Sequence, residues 1–262
     1  MAGVHDRGPS RRSRDPVRKQ QPPEHMNLTD KTALITGASR GIGAAITRLL
    51  LARGCRVTGL SRTPPEAESG RHDHYRHVAI DLARLDDLPQ QLKALRKQLD
   101  DIDILIANAG YGRFGSLEEF SASQIRRLVD VNLTSQMLLV REFLPGMKTR
   151  RRGHIVLMGS EAAFSGSRKG TVYCATKFAL RGFAQALRDE TASRGIRVTL
   201  VNPGMVQTAF FDDLNFAPGE DADAHLLSED VATAIVSALE ARTGCCIEEI
   251  HLSPQRKVIE FD

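Results

Sequence analysis

The chain has 262 residues, 41% of them hydrophobic and 26% charged, a balance that excludes wholesale disorder and leaves enough apolar surface for one or two buried cores. Nowhere do about 18 apolar residues run together, so no membrane span is expected. The net charge of +4 is not a nucleic-acid signature. Arg7, Arg11, Arg12, Arg14, Arg18 and Lys19 crowd into residues 1–25 with only three acids, while the basic residues of the nearly neutral remainder are interspersed.

Residues 1–25 are rich in Arg, Pro, Gln and Ser and are read as a disordered basic tail, either a leader ahead of a start at Met26 or a native solvated segment. No apolar stretch follows Arg11-Arg12, as an export signal would require. Pro9, Pro16, Pro22 and Pro23 break any amphipathic transit helix. Cys55, Cys174, Cys245 and Cys246 have no metal-ligand spacing, so reduced thiols, a cytoplasmic location and no metal site are expected.

Residues 26–262 are read as a single domain. From residue 31 onward short β-branched runs alternate with helical patterns. Strands are predicted at Thr32–Thr36, Arg56–Leu60, His77–Ile80, Ile102–Ala107, His154–Met158, Ile196–Val201 and Ile247–Leu252. Helices are predicted after the first strand up to Gly54, over Leu85 to Leu99, over Ala122–Arg150, over Val172–Arg194, and around Val231 to Leu239 with Ser228 as its cap. Seven strands alternating with helices imply a doubly wound parallel sheet with helices on both faces, the Rossmann arrangement, in which ligands bind beyond the carboxyl ends of the strands.

Beyond the first strand lies Thr36-Gly37-Ala38-Ser39-Arg40-Gly41-Ile42-Gly43. Glycine at the turn permits tight backbone geometry, and the helix N-terminus behind it offers free N–H groups to a pyrophosphate. The second strand ends Gly59-Leu60-Ser61-Arg62, with no acid to hold a ribose 2′-hydroxyl; Glu66 and Glu68 come only after Pro64-Pro65. Arg62 and Arg40 suit a 2′-phosphate instead, which favours NADP(H).

Gly159-Ser160 follows the fifth strand, and Tyr173-Cys174-Ala175-Thr176-Lys177 opens the next helix. Four residues apart, Tyr173 and Lys177 share a helix face. A nearby ammonium stabilises a phenolate, and moving a tyrosine pKa from about 10 to about 7 takes roughly 4 kcal/mol. Lys177 together with a cationic nicotinamide ring is expected to supply it, with Ser160 bonding a substrate oxygen.

In this order the motifs resemble those of the short-chain dehydrogenase/reductase family over about residues 29–252: Thr36–Gly43, Asp81, Ala107-Asn108-Ala109-Gly110, Asn132, Ser160, Tyr173 with Lys177, and Asn202-Pro203-Gly204 with Thr208. The one departure is Ala107, where the family commonly has asparagine. The resemblance implies Tyr173 as general acid/base, Lys177 lowering its pKa and holding the nicotinamide ribose, Ser160 polarising the carbonyl, and Asn132 in a water-linked proton relay. For Asn132, the residues alone equally allow a structural amide that satisfies backbone groups. The implied cofactor site comprises Gly37, Ser39, Arg40, Gly41, Ile42 and Gly43; Ser61 and Arg62; Asp81, toward the adenine amino group, and Leu82; Asn108, Ala109 and Gly110; Tyr173 and Lys177; and Pro203, Gly204, Val206 and Thr208. The helices Ala122–Arg150 and Val172–Arg194 would by resemblance form a two-fold interface, giving a homodimer or homotetramer.

Residues 205–228 are read as a mobile substrate lid with room for one short helix. Seven acids and no Lys or Arg in residues 205–230 weigh against highly anionic substrates. Tyr111, Phe114 and Phe164 are candidates for an apolar pocket wall. The expected activity is hydride transfer between NADP(H) and a small carbonyl compound or secondary alcohol. The alternatives are a 3-oxoacyl thioester reductase using the same residues, or a catalytically idle NADP(H)-sensing scaffold.

Overall fold

The computed structural model describes residues 26–65 and 72–261. The expectations for residues 1–25, Glu66 and Glu68 fall outside the described residues.

Seven parallel strands form the sheet: β1 (Thr32–Thr36), β2 (Arg56–Ser61), β3 (Tyr75–Ala79), β4 (Ile104–Ala107), β5 (Gly153–Met158), β6 (Ile196–Pro203) and β8 (Glu249–Leu252), with β7 reserved for a short strand outside it. Their order is β3-β2-β1-β4-β5-β6-β8, so the winding reverses between β1 and β4. A crevice opens at such a reversal, beyond the carboxyl ends of the two strands.

Side-chain alternation assigns each strand residue to a layer. Ala33, Ile35, Ile104, Ile106 and Val156 pack with α1 (Gly41–Ala52) and α6 (Ser228–Leu239) on one face. Leu34, Leu105, Ala107, Ile155 and Leu157 pack on the other with α2 (Leu88–Gln98), α4 (Ser135–Arg150) and α5 (Thr171–Thr191). Both faces are covered, so the central strands read as continuous apolar runs rather than alternating ones. The doubly wound fold is the expected one.

Four local expectations are corrected. The strand predicted at His77–Ile80 begins at Tyr75, because β3 is an edge strand whose partly solvated residues weaken its apolar signal. The helix predicted over Ala122–Arg150 is in three parts: α3 (Ala122–Val129), a π-helical segment Asp130–Thr134, and α4. In the π-segment the Ser135 N–H reaches back five residues to the Asp130 carbonyl. The Val131 carbonyl instead accepts from Ser135 Oγ at 2.7 Å and Gln136 Nε2 at 3.2 Å. Buried side-chain donors thus compete with the helical ladder for one acceptor.

Ser228 does not cap α6 but lies within it. The cap residue is Leu227, whose N–H is held by Asp230 Oδ2 at 2.8 Å, so a carboxylate in the first turn does the work expected of a hydroxyl. Residues 205–227 contain no helix. They carry β7 (Phe216–Pro218), which pairs antiparallel with a C-terminal strand, β9 (Ile259–Phe261). Among the described residues no helix is long and apolar enough to cross a membrane.

Candidate active site

The glycine turn sits at the reversal of the sheet. Gly37 and Gly41 have φ of +68° and +55°, which L side chains rarely adopt. Gly43 is required by packing, since a Cβ there would lie 2.1 Å from the Gly37 carbonyl oxygen and 2.7 Å from Asn108 Nδ2. Asn108 ties β4 to the turn, donating from Nδ2 to the Thr36 carbonyl at 3.0 Å. Thr36 Oγ1 in turn accepts from the Asn108 and Ala109 N–H groups, each at 3.0 Å. Arg40, the residue before α1, makes no side-chain cap, and the first turn of α1 holds no acid. An uncapped helix start behind a closely packed glycine turn is what a dinucleotide pyrophosphate needs. Thr208 faces this turn, its Cγ2 3.5 Å from where a Cβ on Gly41 would stand.

At the end of β2, Ser61 is buried and its Oγ donates to the Thr63 carbonyl at 2.7 Å, with His77 Nε2 3.1 Å away. Arg40 and Arg62 are exposed, and neither has an ion-pair partner among the described residues. Asp81 Oδ1 accepts from the Ala83 N–H at 3.0 Å, and Leu82 is buried beside it.

Ser160, Tyr173 and Lys177 come together across the ends of β5 and α5. The Ser160 side chain lies near the Tyr173 phenol and favours its ionised form, while Ser160 Oγ accepts from the Ala162 N–H at 3.2 Å. Lys177 Nζ lies 5.6 Å from the Tyr173 ring centre and donates to the Met158 carbonyl at 2.8 Å. Tyr173 and Lys177 are only 7% and 5% exposed, and that burial dominates their protonation. Desolvation pushes Tyr173 up to about 12, against the effect of Ser160, and pulls Lys177 down to about 8. The expected lowering of the phenol belongs to Lys177 together with a cationic nicotinamide ring; in the protein alone burial sets the direction. The missing factor is depth, which a four-residue spacing does not report.

Asn132 occupies the π-segment and is 1% exposed. Its Oδ1 accepts from the Tyr111 N–H at 3.0 Å and its Nδ2 donates to the Tyr111 carbonyl at 2.9 Å. The side chain is thus fully engaged in holding the loop after β4. Gln136 Nε2 acts likewise on the Ala109 carbonyl at 2.7 Å, a contact sequence reasoning missed; its only signal is an amide on an otherwise apolar helix face.

Asn202 was also missed as a positioning residue. Its Oδ1 accepts from the Ser160 N–H at 3.2 Å, and its carbonyl group sits so close to Gly159 that a Cβ there would be 2.0 Å away. The Asn-Pro-Gly run was its only signal. Pro203 and Val206 are buried; Val206 forms a bridge with Leu226, and Gly204 N–H donates to Leu252 at 2.8 Å. Of the aromatic candidates, Phe114 lies against Tyr173 with ring centres 5.2 Å apart, and Phe210 does so at 6.0 Å. Phe164 is turned elsewhere, under the Arg181 guanidinium and against His251. Among the described residues no group of three or more His, Cys, Asp or Glu is placed to hold a metal.

A glycine turn at the reversal of a doubly wound sheet, with a Ser-Tyr-Lys cluster at the neighbouring strand ends, is the arrangement of a nicotinamide-dependent oxidoreductase. The chain belongs to the short chain dehydrogenase family, whose model matches residues 31–218. It is 35% identical over 193 residues to the 3-oxoacyl-acyl-carrier-protein reductase FabG of Vibrio cholerae, covering 72% of this chain and 79% of that one. Among solved structures, an alcohol dehydrogenase from the archaeon Thermococcus sibiricus complexed with 5-hydroxy-NADP superposes with a TM-score of 0.76 at 25% identity, covering 87% of this chain and 98% of that one. A metagenomic short-chain oxidoreductase in complex with NADP does so with a TM-score of 0.72 at 29% identity, covering 88% and 100%.

Proposed function

We propose that the protein transfers hydride between NADP(H) and a carbonyl compound or secondary alcohol, with Tyr173 as general acid/base. The observation that carries this reading is the buried Tyr173–Lys177 pair, with Lys177 Nζ 5.6 Å from the Tyr173 ring centre and Ser160 near the phenol, at the same strand ends as the glycine turn. The cofactor would be held by Gly37, Ser39, Arg40, Gly41, Ile42 and Gly43 along its pyrophosphate, by Ser61 and Arg62 at a 2′-phosphate, and by Asp81 and Leu82 at the adenine. Asn108, Ala109, Gly110, Lys177, Pro203, Gly204, Val206 and Thr208 would complete the cleft toward the nicotinamide. Support for NADP(H) over NAD(H) comes from the two exposed arginines and from neighbours solved with NADP or its 5-hydroxy derivative.

When bound, the nicotinamide supplies or accepts the hydride. The chain manages the proton and the oxygen. In reduction, Tyr173 donates its phenolic proton to the carbonyl oxygen, and the Ser160 hydroxyl donates a second hydrogen bond to the same atom. Asn202 fixes the Ser160 backbone for this, and Asn132 fixes the loop that borders the site. With a pKa of about 12, Tyr173 carries the proton it must give throughout the neutral range. Lys177, drawn down to about 8, sits where its ammonium can return a proton to the phenol side of the site.

The FabG relatives favour a second reading, reduction of a 3-oxoacyl thioester by the same residues. One assay separates the two: NADPH oxidation with a panel of simple ketones and aldehydes beside a short 3-oxoacyl thioester. Turnover of the ketones with little on the thioester supports the first reading, and the reverse supports the second. Turnover of neither by a protein that binds NADPH leaves the sensing-scaffold reading.

A further inference from the structure

Tyr173 is covered. Phe114 and Phe210 lie against its ring, and Gly112 lets them meet there, since a Cβ on Gly112 would stand 2.5 Å from Phe210 and 2.9 Å from Phe114. Phe216 of β7 backs this pair, its ring centre 4.9 Å from that of Phe114 and 5.8 Å from that of Phe211. With Tyr173 7% exposed, a substrate carbonyl reaches the phenol only if this aromatic wall shifts or is matched by the substrate's own apolar group.

The wall is tied down by the end of the chain. Phe216, Ala217 and Pro218 pair with Phe261, Glu260 and Ile259, and the Gly219 N–H donates to the Val258 carbonyl at 3.2 Å. Gly219 is pressed against Val258, with a Cβ there only 2.9 Å from Val258 Cγ1. Arg256 clamps the lid's acids, Asp221 at 2.6 Å and Asp223 at 2.6 Å, and its N–H donates to the Asp223 carbonyl at 2.8 Å. Lys257 pairs with Glu161 at 2.7 Å, next in sequence to Ser160. Two of the seven acids in residues 205–230, Asp221 and Asp223, are therefore spent on holding the chain's C-terminal segment.

We propose that residues 256–261 form a strap that determines substrate specificity, fixing Phe216 and the Phe114–Phe210 pair so that the site selects compact aryl or other flat apolar carbonyl compounds over aliphatic ones. The proposal rests on the carbonyl-reductase reading above. A flat ring replaces the wall's edge contacts on Tyr173, whereas a small aliphatic chain cannot. Releasing the strap loosens the wall without touching Ser160, Tyr173 or Lys177.

The test compares acetophenone with butan-2-one, both with NADPH, in the full chain, in Arg256→Ala, in a chain ending at residue 254, and in Arg256→Lys. The full chain is expected to prefer acetophenone. In Arg256→Ala and the shortened chain that preference should fall by about tenfold, the size of effect one well-formed apolar contact commands. The fall should come through KM for acetophenone with kcat for butan-2-one unchanged, and Arg256→Lys should retain most of the preference. Hydrogen exchange over residues 205–228 should rise in the two released variants. Turnover with an unchanged preference in both variants, or unchanged exchange, would overturn the strap. Turnover of neither ketone by the full chain would overturn the carbonyl-reductase reading and the strap with it.

Discussion

Two side chains, Arg62 and His154, carry separable consequences. Arg62→Ala should raise the KM for NADPH roughly 10- to 100-fold, the worth of a charge-assisted phosphate contact, and leave that for NADH nearly unchanged. Parallel steady-state kinetics with the two cofactors would show it, and equal effects would remove Arg62 from the 2′-phosphate. His154 is 2% exposed, and burial with Arg197 nearby pushes its pKa from 6.5 down to about 3. The unfolded chain then binds a proton that the folded chain refuses. Stability is intact above about pH 6.5 and falls as pH drops toward 3, by about 1.4 kcal/mol per pH unit from this residue. Urea midpoints at pH 7 and pH 4.5 should converge in His154→Gln; an unchanged gap would clear His154. The pairing of Tyr173 with Lys177 was readable from spacing because helix geometry puts residues four apart on one face. How deeply the two groups are buried was not readable, because it follows from how much chain packs over them.

Among the elements, the glycine turn is the least tolerant. Gly43→Ala places a methyl group against the Gly37 carbonyl and Asn108, so a loss of about 1–3 kcal/mol of stability is expected, with NADPH binding weakened beyond detection. Thermal denaturation and calorimetric titration check the two parts; a stable, NADPH-binding variant would contradict the packing account. The strand–turn–helix order of this region could be read because glycines, β-branched runs and helical periodicity all agree there. The π-segment could not be. A run of periodic apolar residues from Ile125 to Val140 predicts one helix, and only the competition of Ser135 and Gln136 for the Val131 carbonyl interrupts it. Ser228 misled for a related reason: a cap by hydroxyl and a cap by Asp230 three residues on leave similar marks in a sequence.

At the scale of the molecule, a buried parallel sheet brings the carboxyl ends of β1 to β6 to one edge, and the residues beyond those ends are the ones the motifs marked. What escaped was the short ladder between β7 and β9. Its strands are three residues each and lie more than 40 residues apart, too short and too distant for a periodic apolar pattern to mark them. On the proposed reading, this assembly delivers a proton from Tyr173 to a substrate oxygen while the glycine turn holds the cofactor. Tyr173→Phe removes one oxygen and keeps the ring that packs on Phe114 and Phe210. NADPH titration and ketone turnover on this variant beside the full chain test the claim most directly. Retained NADPH affinity with turnover reduced by about 10²–10⁴ is predicted; turnover comparable to that of the full chain would contradict it.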